Sequence, residues 1–239
     1  MQPSLSPAYV LHSRPYRDSS ALVDLLTLHQ GLQRVVWRGA RGQRRKLAPQ
    51  PFVPLLVGMI GRSELKTLTQ AEVAGGFALL QGELLFSGLY LNELLVRLLR
   101  PGDAQPLLFA GYQQALEQLA QGATVEPILR RFEWQLLDIL GYGFSLTEDA
   151  NGRPIDAQQR YVWHATDGLQ PLSAPLLSDG GLPGSALLAM AADDWQQTNT
   201  LRAAKRLMRQ ALGAHLGDRP LVSRQLFIRQ SPPLEGDEQ

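Results

Sequence analysis

The sequence predicts an α+β protein, with a small β domain at the N-terminus and a helical domain behind it. Residues 1–75 contain five short apolar runs separated by turn residues, a pattern typical of a small closed or sandwiched β domain. After Gly75-Gly76 the apolar residues recur with a period near 3.6, which predicts amphipathic helices. We place the two domains at 1–78 and 79–232, followed by a flexible acidic tail at 233–239.

The predicted strands are runs rich in Val, Leu, Ile and aromatic residues, bounded by turn signals such as His29-Gln30-Gly31. Pro54 cannot donate a ladder hydrogen bond, so it predicts an edge or bulge position. A loop rich in Gly, Arg and Lys, Gly39–Gln50, follows the third strand. The five strands are predicted at Tyr9–His12, Ala21–Leu28, Leu32–Arg38, Phe52–Ile60 and Leu65–Val73.

The predicted helices each show an apolar face, and Thr124 and Thr200 stand where N-cap residues are expected. A turn-rich insert over 146–183 contains Arg160–His164, which we predict to form one strand of a small hairpin. The helices are predicted up to Pro101, over Ala104–Ala120, from Thr124 to Gly141, over Ser185–Ala192 and over Thr200–Leu212. The last ordered piece is predicted at Pro220–Ile228.

Composition excludes several classes of protein. The chain has no cysteine, which excludes disulfides and thiolate zinc sites. No apolar run approaches the ~20 residues of a membrane span, and the N-terminus does not resemble a secretory signal. We therefore expect a cytoplasmic protein.

Motifs of catalysis and nucleotide binding are missing from the sequence. There is no G-x-S-x-G, no Walker A sequence and no G-x-G-x-x-G, and the histidines lack metal-ligand spacing. We expect no catalytic residue, no metal ligand, no cofactor and no enzymatic activity. An enzyme would need catalytic residues that converge in a cleft, and no sequence motif indicates such a group. The four histidines are His12, His29, His164 and His215.

Positive charge is concentrated, although the net charge is only +1. No acidic residue occurs between Asp24 and Glu64, and this interval includes the loop after Trp37. Flexible glycines with several cations suit a phosphate backbone, so we predict a nucleic-acid contact, with a solvated surface loop as the alternative. Trp37 either stacks on a base or packs in the core of the β domain.

The last long helix carries a second basic surface. Its cations fall at i, i+3, i+4 and i+7, and no acidic residue interleaves between Thr198 and Gly217. These cations either contact a polyanion or form an ordinary solvated helix face, and the sequence does not decide between the two. The four cations are Arg202, Lys205, Arg206 and Arg209.

The segment Leu129–Leu136 combines apolar residues on one side of a helix with two arginines at its edge. An apolar groove with a basic lip suits an acidic peptide that ends in a hydrophobic residue. The spacing alone favours plain core packing with surface arginines.

The order of these parts, with a series of short motifs between residues 7 and 228, resembles the RecO family of bacterial recombination mediators. Each motif is weak alone, whereas their order and spacing are specific. The motifs are Tyr9–Pro15, Val36–Arg41, Gln50–Leu56, Leu65–Leu68, Ser87–Leu95, Arg130–Glu133, Leu140–Gly143, Thr200–Arg206 and Pro220–Arg224.

The resemblance implies a five-stranded OB-fold barrel followed by a helical domain. It implies binding of single- and double-stranded DNA and annealing of complementary strands in a nucleoid-associated setting. It also implies partnership with RecR, binding to the C-terminal peptide of single-strand DNA-binding protein (SSB), and help in loading RecA onto SSB-coated gapped DNA. Many members carry a four-cysteine zinc site; this chain cannot, so residues 151–171 should fold without metal.

The resemblance also implies roles for individual residues. We expect the second basic surface, Arg202, Lys205, Arg206 and Arg209, to serve as a secondary DNA surface. DNA contact is assigned first to Arg14, Arg34, Arg38, Arg41, Arg44, Arg45 and Lys46. The SSB peptide is assigned to Arg130 and Arg131, with Leu129 and Leu136 as the apolar floor.

Two other functions fit the same residues. One is an RNA-binding OB-fold factor, which competition between matched DNA and RNA oligonucleotides would distinguish. The other is a non-catalytic interaction scaffold whose arginines only keep the surface soluble, in which case alanine substitutions in the loop would leave DNA affinity unchanged.

Overall fold

The computed structural model describes residues 5–43, 47–76, 79–172 and 180–228. It confirms the α+β class, with a closed five-stranded barrel and several helices. The chain forms two compact units: described residues up to 123 together with those from 219 onward, and residues 124–218. The predicted division at 78 and 79 differs from these units, because two long helices and the last helix group with the barrel.

The barrel of the first unit is OB-like and has the strand order β1-β2-β3-β5-β4, with β4 closing on β1. β3 and β5 pair in parallel, whereas the other pairs are antiparallel. The strands are β1 Ser6–Tyr16, β2 Ser20–Thr27, β3 Gly31–Trp37, β4 Pro54–Ile60 and β5 Leu65–Val73.

Successive side chains of a strand point to opposite faces, so every second side chain points into the barrel and fills it. Val23, Leu25 and Val35 are fully buried there, and Leu55 is nearly so. Trp37 is 8% exposed and belongs to the same core. The question that the sequence left open is therefore answered: Trp37 packs inside the barrel.

Among the described residues, three helices complete the first unit: α1 Gly82–Leu98, α2 Pro106–Ala120 and α6 Val222–Ile228. α1 packs against β1, α2 and α6. The ring of Tyr9 in β1 lies against Phe109 and Tyr112 of α2, with centroids 5.5 and 5.3 Å apart. The barrel, α1 and α2 therefore share one apolar interface, and α6 packs on α1.

A polar network lies inside this interface, where β1 has a bulge between Val10 and His12. The bulge leaves Leu11 outside the ladder, and the amide nitrogen of Asn92 in α1 donates to its carbonyl at 3.0 Å. The hydroxyl of Tyr112 in turn donates to the amide oxygen of Asn92 at 2.6 Å. Asn92 thus satisfies one polar group of β1 and one of α2.

The second unit, as far as its residues are described, contains three helices and a small sheet. α3 and α4 both pack on α5, and the sheet has the order β7-β6-β8, so the predicted hairpin at Arg160–His164 is confirmed. The elements are α3 Val125–Ile139, β6 Arg160–His164, β7 Gly168–Pro171, β8 Leu182–Pro183, α4 Gly184–Ala191 and α5 Thr198–Leu216.

One predicted helix start is wrong. α5 begins at Thr198 with Gln197 as its N-cap residue, and Thr200 is buried inside the first turn instead of capping it. Thr124 does hold the N-cap position of α3. The error arises because the burial of Thr200 depends on tertiary packing, which the local sequence does not display.

Candidate nucleic-acid interface and peptide pocket

Arg38 and Arg41 are exposed in the loop that follows β3. The loop is fixed at its base, because Ala40 is buried in the barrel core. The backbone N–H of Arg41 donates to the carbonyl of Ser19 at 2.9 Å, and its guanidinium contacts the carbonyl of Arg17 at 3.4 Å. The loop is therefore attached to the turn between β1 and β2.

Arg14 and Arg17 stand at the same end of the barrel. The register pairs Tyr16 with Ser20 and Ala21 with Trp37, which brings the end of β1, the start of β2 and the end of β3 together. Arg14 and Arg17 are both exposed there, and the Arg17 guanidinium lies 5.2 Å from the centroid of the Tyr16 ring. We call the four exposed arginines, Arg14, Arg17, Arg38 and Arg41, the basic end.

Arg17 was missed by the sequence analysis. It sits beside Asp18, outside the acid-free interval that drew attention to the loop. The pairing of a β1–β2 hairpin with β3 could have found it, because the turn of that hairpin then lies beside the end of β3. Its φ of 52° places it in the left-handed region used by tight turns.

Arg34 differs from the arginines of the basic end because it forms an ion pair with a carboxylate. Its Nε donates to the Asp24 carboxylate at 2.7 Å across the β2–β3 pair. The hydrogen bond and charge of Asp24 raise the pKa of Arg34. Nδ1 of His12 lies 3.8 Å from the other oxygen of Asp24. Arg34 is thus predicted as a DNA contact but already has a carboxylate partner.

Three predicted contacts, Arg44, Arg45 and Lys46, lie outside the described residues. Their assignment to DNA stays a prediction.

The second basic surface lies on the exposed side of α5, and its four cations are all exposed. The opposite side of the helix is buried, with Leu207, Met208 and Ala211 facing the core of the second unit. The guanidinium of Arg206 contacts the carbonyl of Gly181 at 3.4 Å. The exposed cations of this surface are Arg202, Lys205, Arg206 and Arg209.

A cavity of about 410 Å³ opens beside the predicted peptide-binding arginines in the second unit. Apolar side chains from three parts of the unit line it, and the rings of Trp134 and Phe144 meet edge to face at 4.8 Å. Its lining is Arg130, Arg131, Trp134, Phe144, Ser145, Leu146, Thr147, Met190, Ala191, Asp193 and Trp195. We call it the α3–α4 pocket.

Arg130 is a buried cation at this pocket. One guanidinium nitrogen lies 2.8 Å from Glu133, one turn later in α3, and the two side chains are 9% and 0% exposed. Within the described part of the chain, no acceptor meets its Nε. A buried donor without an acceptor is costly, so the burial of Arg130 is only partly offset by Glu133.

Arg131 is half exposed and forms a two-pronged ion pair with Asp193 just after α4. Its Nε and Nη2 donate to the two carboxylate oxygens at 2.7 and 3.1 Å. The Trp195 indole N–H donates to the same carboxylate, and the guanidinium lies 5.7 Å from its ring centroid. These hydrogen bonds, led by that of Arg131, lower the pKa of Asp193 despite partial burial.

The predicted apolar floor lies elsewhere. Leu129 and Leu136 are 7% and 0% exposed and belong to the core of the second unit, and neither lines the α3–α4 pocket. Its apolar lining comes instead from Trp134, Phe144, Leu146 and Met190. The sequence could not indicate these residues together, because they meet only when the chain folds.

Within the described ranges, no group of three or more His, Asp or Glu side chains is placed to hold a metal ion. None of the described helices has the length and apolar character needed to cross a membrane.

Comparison with known proteins supports the resemblance noted in the sequence. The family described as Recombination protein O N terminal matches residues 1–77, and Recombination protein O C terminal matches residues 79–225. The protein named DNA repair protein RecO in Stutzerimonas stutzeri is 55% identical over 228 residues, which cover 95% of each chain.

Other relatives bear the same name. One from Pseudomonas aeruginosa is 55% identical over 94% of this chain and 95% of its own. One from Pseudomonas entomophila is 52% identical over 95% of this chain and 98% of its own. Two family models that together span nearly the whole chain, and relatives of this identity and coverage, lead to one conclusion: the chain belongs to the RecO family of DNA repair proteins.

Proposed function

We propose that the protein anneals complementary DNA strands through the basic end of its barrel and, with RecR, helps to load RecA onto SSB-coated gapped DNA. Membership of the RecO family gives it a role in DNA repair and recombination. The annealing, the partners and the residues that carry them are our proposal.

The observation that carries the DNA contact is the basic end. Its four arginines are exposed, and none of them makes an ion pair with a described residue. Exposed guanidinium groups without a carboxylate partner can bind phosphates without reading base sequence. Trp37 is buried, so base stacking by this residue is not part of the proposal.

The second basic surface on α5 supports a second strand contact. Two cationic surfaces on one protein can hold two strands and screen the repulsion between their phosphates. This action needs no bond chemistry, so we propose a binding protein and not an enzyme.

The α3–α4 pocket supports a contact with the C-terminal peptide of SSB. A peptide of this kind offers carboxylates and an apolar end, and the pocket offers Arg130 and Arg131 beside an aromatic lining. SSB bound here would hold the protein on coated DNA.

A strand-annealing assay tests the DNA contact. We expect Arg38→Ala with Arg41→Ala to slow annealing of bare and SSB-coated strands, and to reduce the salt slope of single-strand binding by about 1.4, since each lost phosphate contact removes about 0.7. The matched control is Arg62→Ala with Arg100→Ala, which removes the same charge from exposed positions outside the basic end.

Equal losses in both double variants would contradict the proposal, because only net charge would then matter. Unchanged annealing in the loop variant would favour the scaffold alternative. Stronger binding to a matched RNA oligonucleotide would favour the RNA-binding alternative.

A further inference from the structure

The Arg131–Asp193 pair already has the form expected of a bound peptide carboxylate. Two parallel hydrogen bonds, at 2.7 and 3.1 Å, join the guanidinium to both oxygens of the carboxylate. Both residues line the α3–α4 pocket. A carboxylate of the chain itself therefore occupies the donors of Arg131 that an acidic peptide would use.

Another carboxylate can replace Asp193 as the partner of Arg131. The side chains of Arg131 and Asp193 are 43% and 62% exposed, and ion pairs this open to solvent are weak. The neighbouring Arg130–Glu133 pair is different, because both of its side chains are buried. A peptide could displace Asp193 from Arg131 at small cost, whereas displacing Glu133 would leave a buried charge.

The backbone at Asp193 gives a second and independent observation. Asp193 has a φ of 57° just after α4, where its N–H donates to Met190 at 3.1 Å. Gly is the usual residue at such a helix end, and Asn is the next choice. A side chain held in the left-handed region costs conformational energy, and such residues cluster at functional sites.

We propose that Asp193 is an affinity-determining residue of the α3–α4 pocket, acting as an internal competitor for acidic peptides. Without a peptide, its carboxylate occupies Arg131 and keeps the guanidinium over the Trp195 ring. A peptide carboxylate must displace the Asp193 carboxylate. The peptide therefore binds more weakly and dissociates faster than it would from the same pocket without that carboxylate. This inference rests on the proposed binding of the SSB peptide at the same pocket.

The test is the affinity of a fluorescently labelled C-terminal SSB peptide for the full-length protein. Asp193→Asn removes the charge, keeps an acceptor for Trp195 and suits the left-handed backbone, so the variant should fold. We expect it to bind about two- to fivefold more tightly, the range that an exposed ion pair represents. Arg131→Ala should bind more weakly than the wild-type protein.

Asp194→Asn is the matched control. It removes the same charge from the adjacent exposed residue, which does not line the pocket, and we expect less than half of the gain seen for Asp193→Asn. Equal gains in the two variants would overturn the inference, because net charge would then explain both.

If Asp193→Asn leaves the peptide affinity unchanged while Arg131→Ala reduces it, the competitor role of Asp193 is overturned. The proposed peptide site would still stand. Absence of binding to the wild-type protein and to Asp193→Asn would overturn the proposed peptide site and the inference with it. Circular dichroism of each variant confirms that the comparison is made on folded protein.

Discussion

At the residue scale, the Asp24 carboxylate determines whether Arg34 is available to bind a phosphate. Arg34 is exposed on β3 and was predicted to contact DNA, but Asp24 holds its Nε at 2.7 Å. The arginines of the basic end have no such partner among the described residues. A cation contributes to phosphate binding only when releasing its present partner costs little.

Asp24→Asn should therefore strengthen DNA binding. The variant keeps an acceptor for Arg34 but removes the charge that holds it, so Arg34 becomes able to bind a phosphate. We expect the salt slope of single-strand binding to steepen by about 0.7. Glu117→Gln on α2 is the control for net charge, and an unchanged slope in Asp24→Asn would place Arg34 off the path of the DNA.

Asn92 is the residue on which the packing of α1 between β1 and α2 depends. Replacing it with Leu keeps the volume but leaves the Leu11 carbonyl and the Tyr112 hydroxyl without the Asn92 amide. We expect a loss of about 2–4 kcal/mol in unfolding free energy, measured by urea titration. Tyr112→Phe should cost less, and an equal or larger loss there would contradict this assignment.

At the scale of elements, a single carboxylate fixes the last helix. Glu93 of α1 accepts hydrogen bonds from the backbone of Val222 and from both the backbone and the hydroxyl of Ser223, at 2.6–2.9 Å. Phe86 of α1 and Phe227 of α6 also meet edge to face, with ring centroids 5.7 Å apart. The N-terminus of α6 is thus capped by a side chain from α1 instead of by one of its own.

This cap should make the stability of the first unit depend on pH. Burial raises the pKa of Glu93, but the hydrogen bonds from Ser223 and Val222, with the charge of Arg97, outweigh it and lower the pKa overall. A lowered pKa means that the stabilisation is complete above the ordinary titration range of glutamate. It is lost as the pH falls through the lowered value.

Glu93→Gln should be less stable than the wild-type protein near neutral pH, by about 1–3 kcal/mol. The difference should shrink as the solution becomes acidic, because the wild-type carboxyl then carries no charge either. Urea unfolding at a series of pH values measures this, with Glu117→Gln as the control. A difference that does not change with pH would exclude the ionised cap.

The helices and strands were predictable because their signals are local. A run of Leu and Val marks β2, a period of 3.6 marks α1 and α3, and glycine turns separate them. The start of α5 was misplaced because the burial of Thr200 comes from tertiary contacts. Arg38 and Arg41 could be singled out because both belong to one stretch of sequence without acidic residues.

At the scale of the whole molecule, the remaining site residues could not be predicted for the same reason. Arg131 and Asp193 are 62 residues apart in sequence, and the lining of the α3–α4 pocket is drawn from three separate segments. No local pattern marks a residue whose role depends on a distant partner. The family resemblance indicated Arg130 and Arg131, and the folded chain supplied what surrounds them.

The route of the chain has a consequence for how the protein is made. Residues 124–218 form a unit of their own, and only afterwards does the chain return to the first unit with α6. During synthesis the barrel segment therefore emerges well before α6, so the Glu93 carboxylate lacks its Val222 and Ser223 donors until residues 124–218 have followed. We therefore expect deletion of α6 to destabilise the first unit, against which it packs, more than residues 124–218, which precede it in sequence.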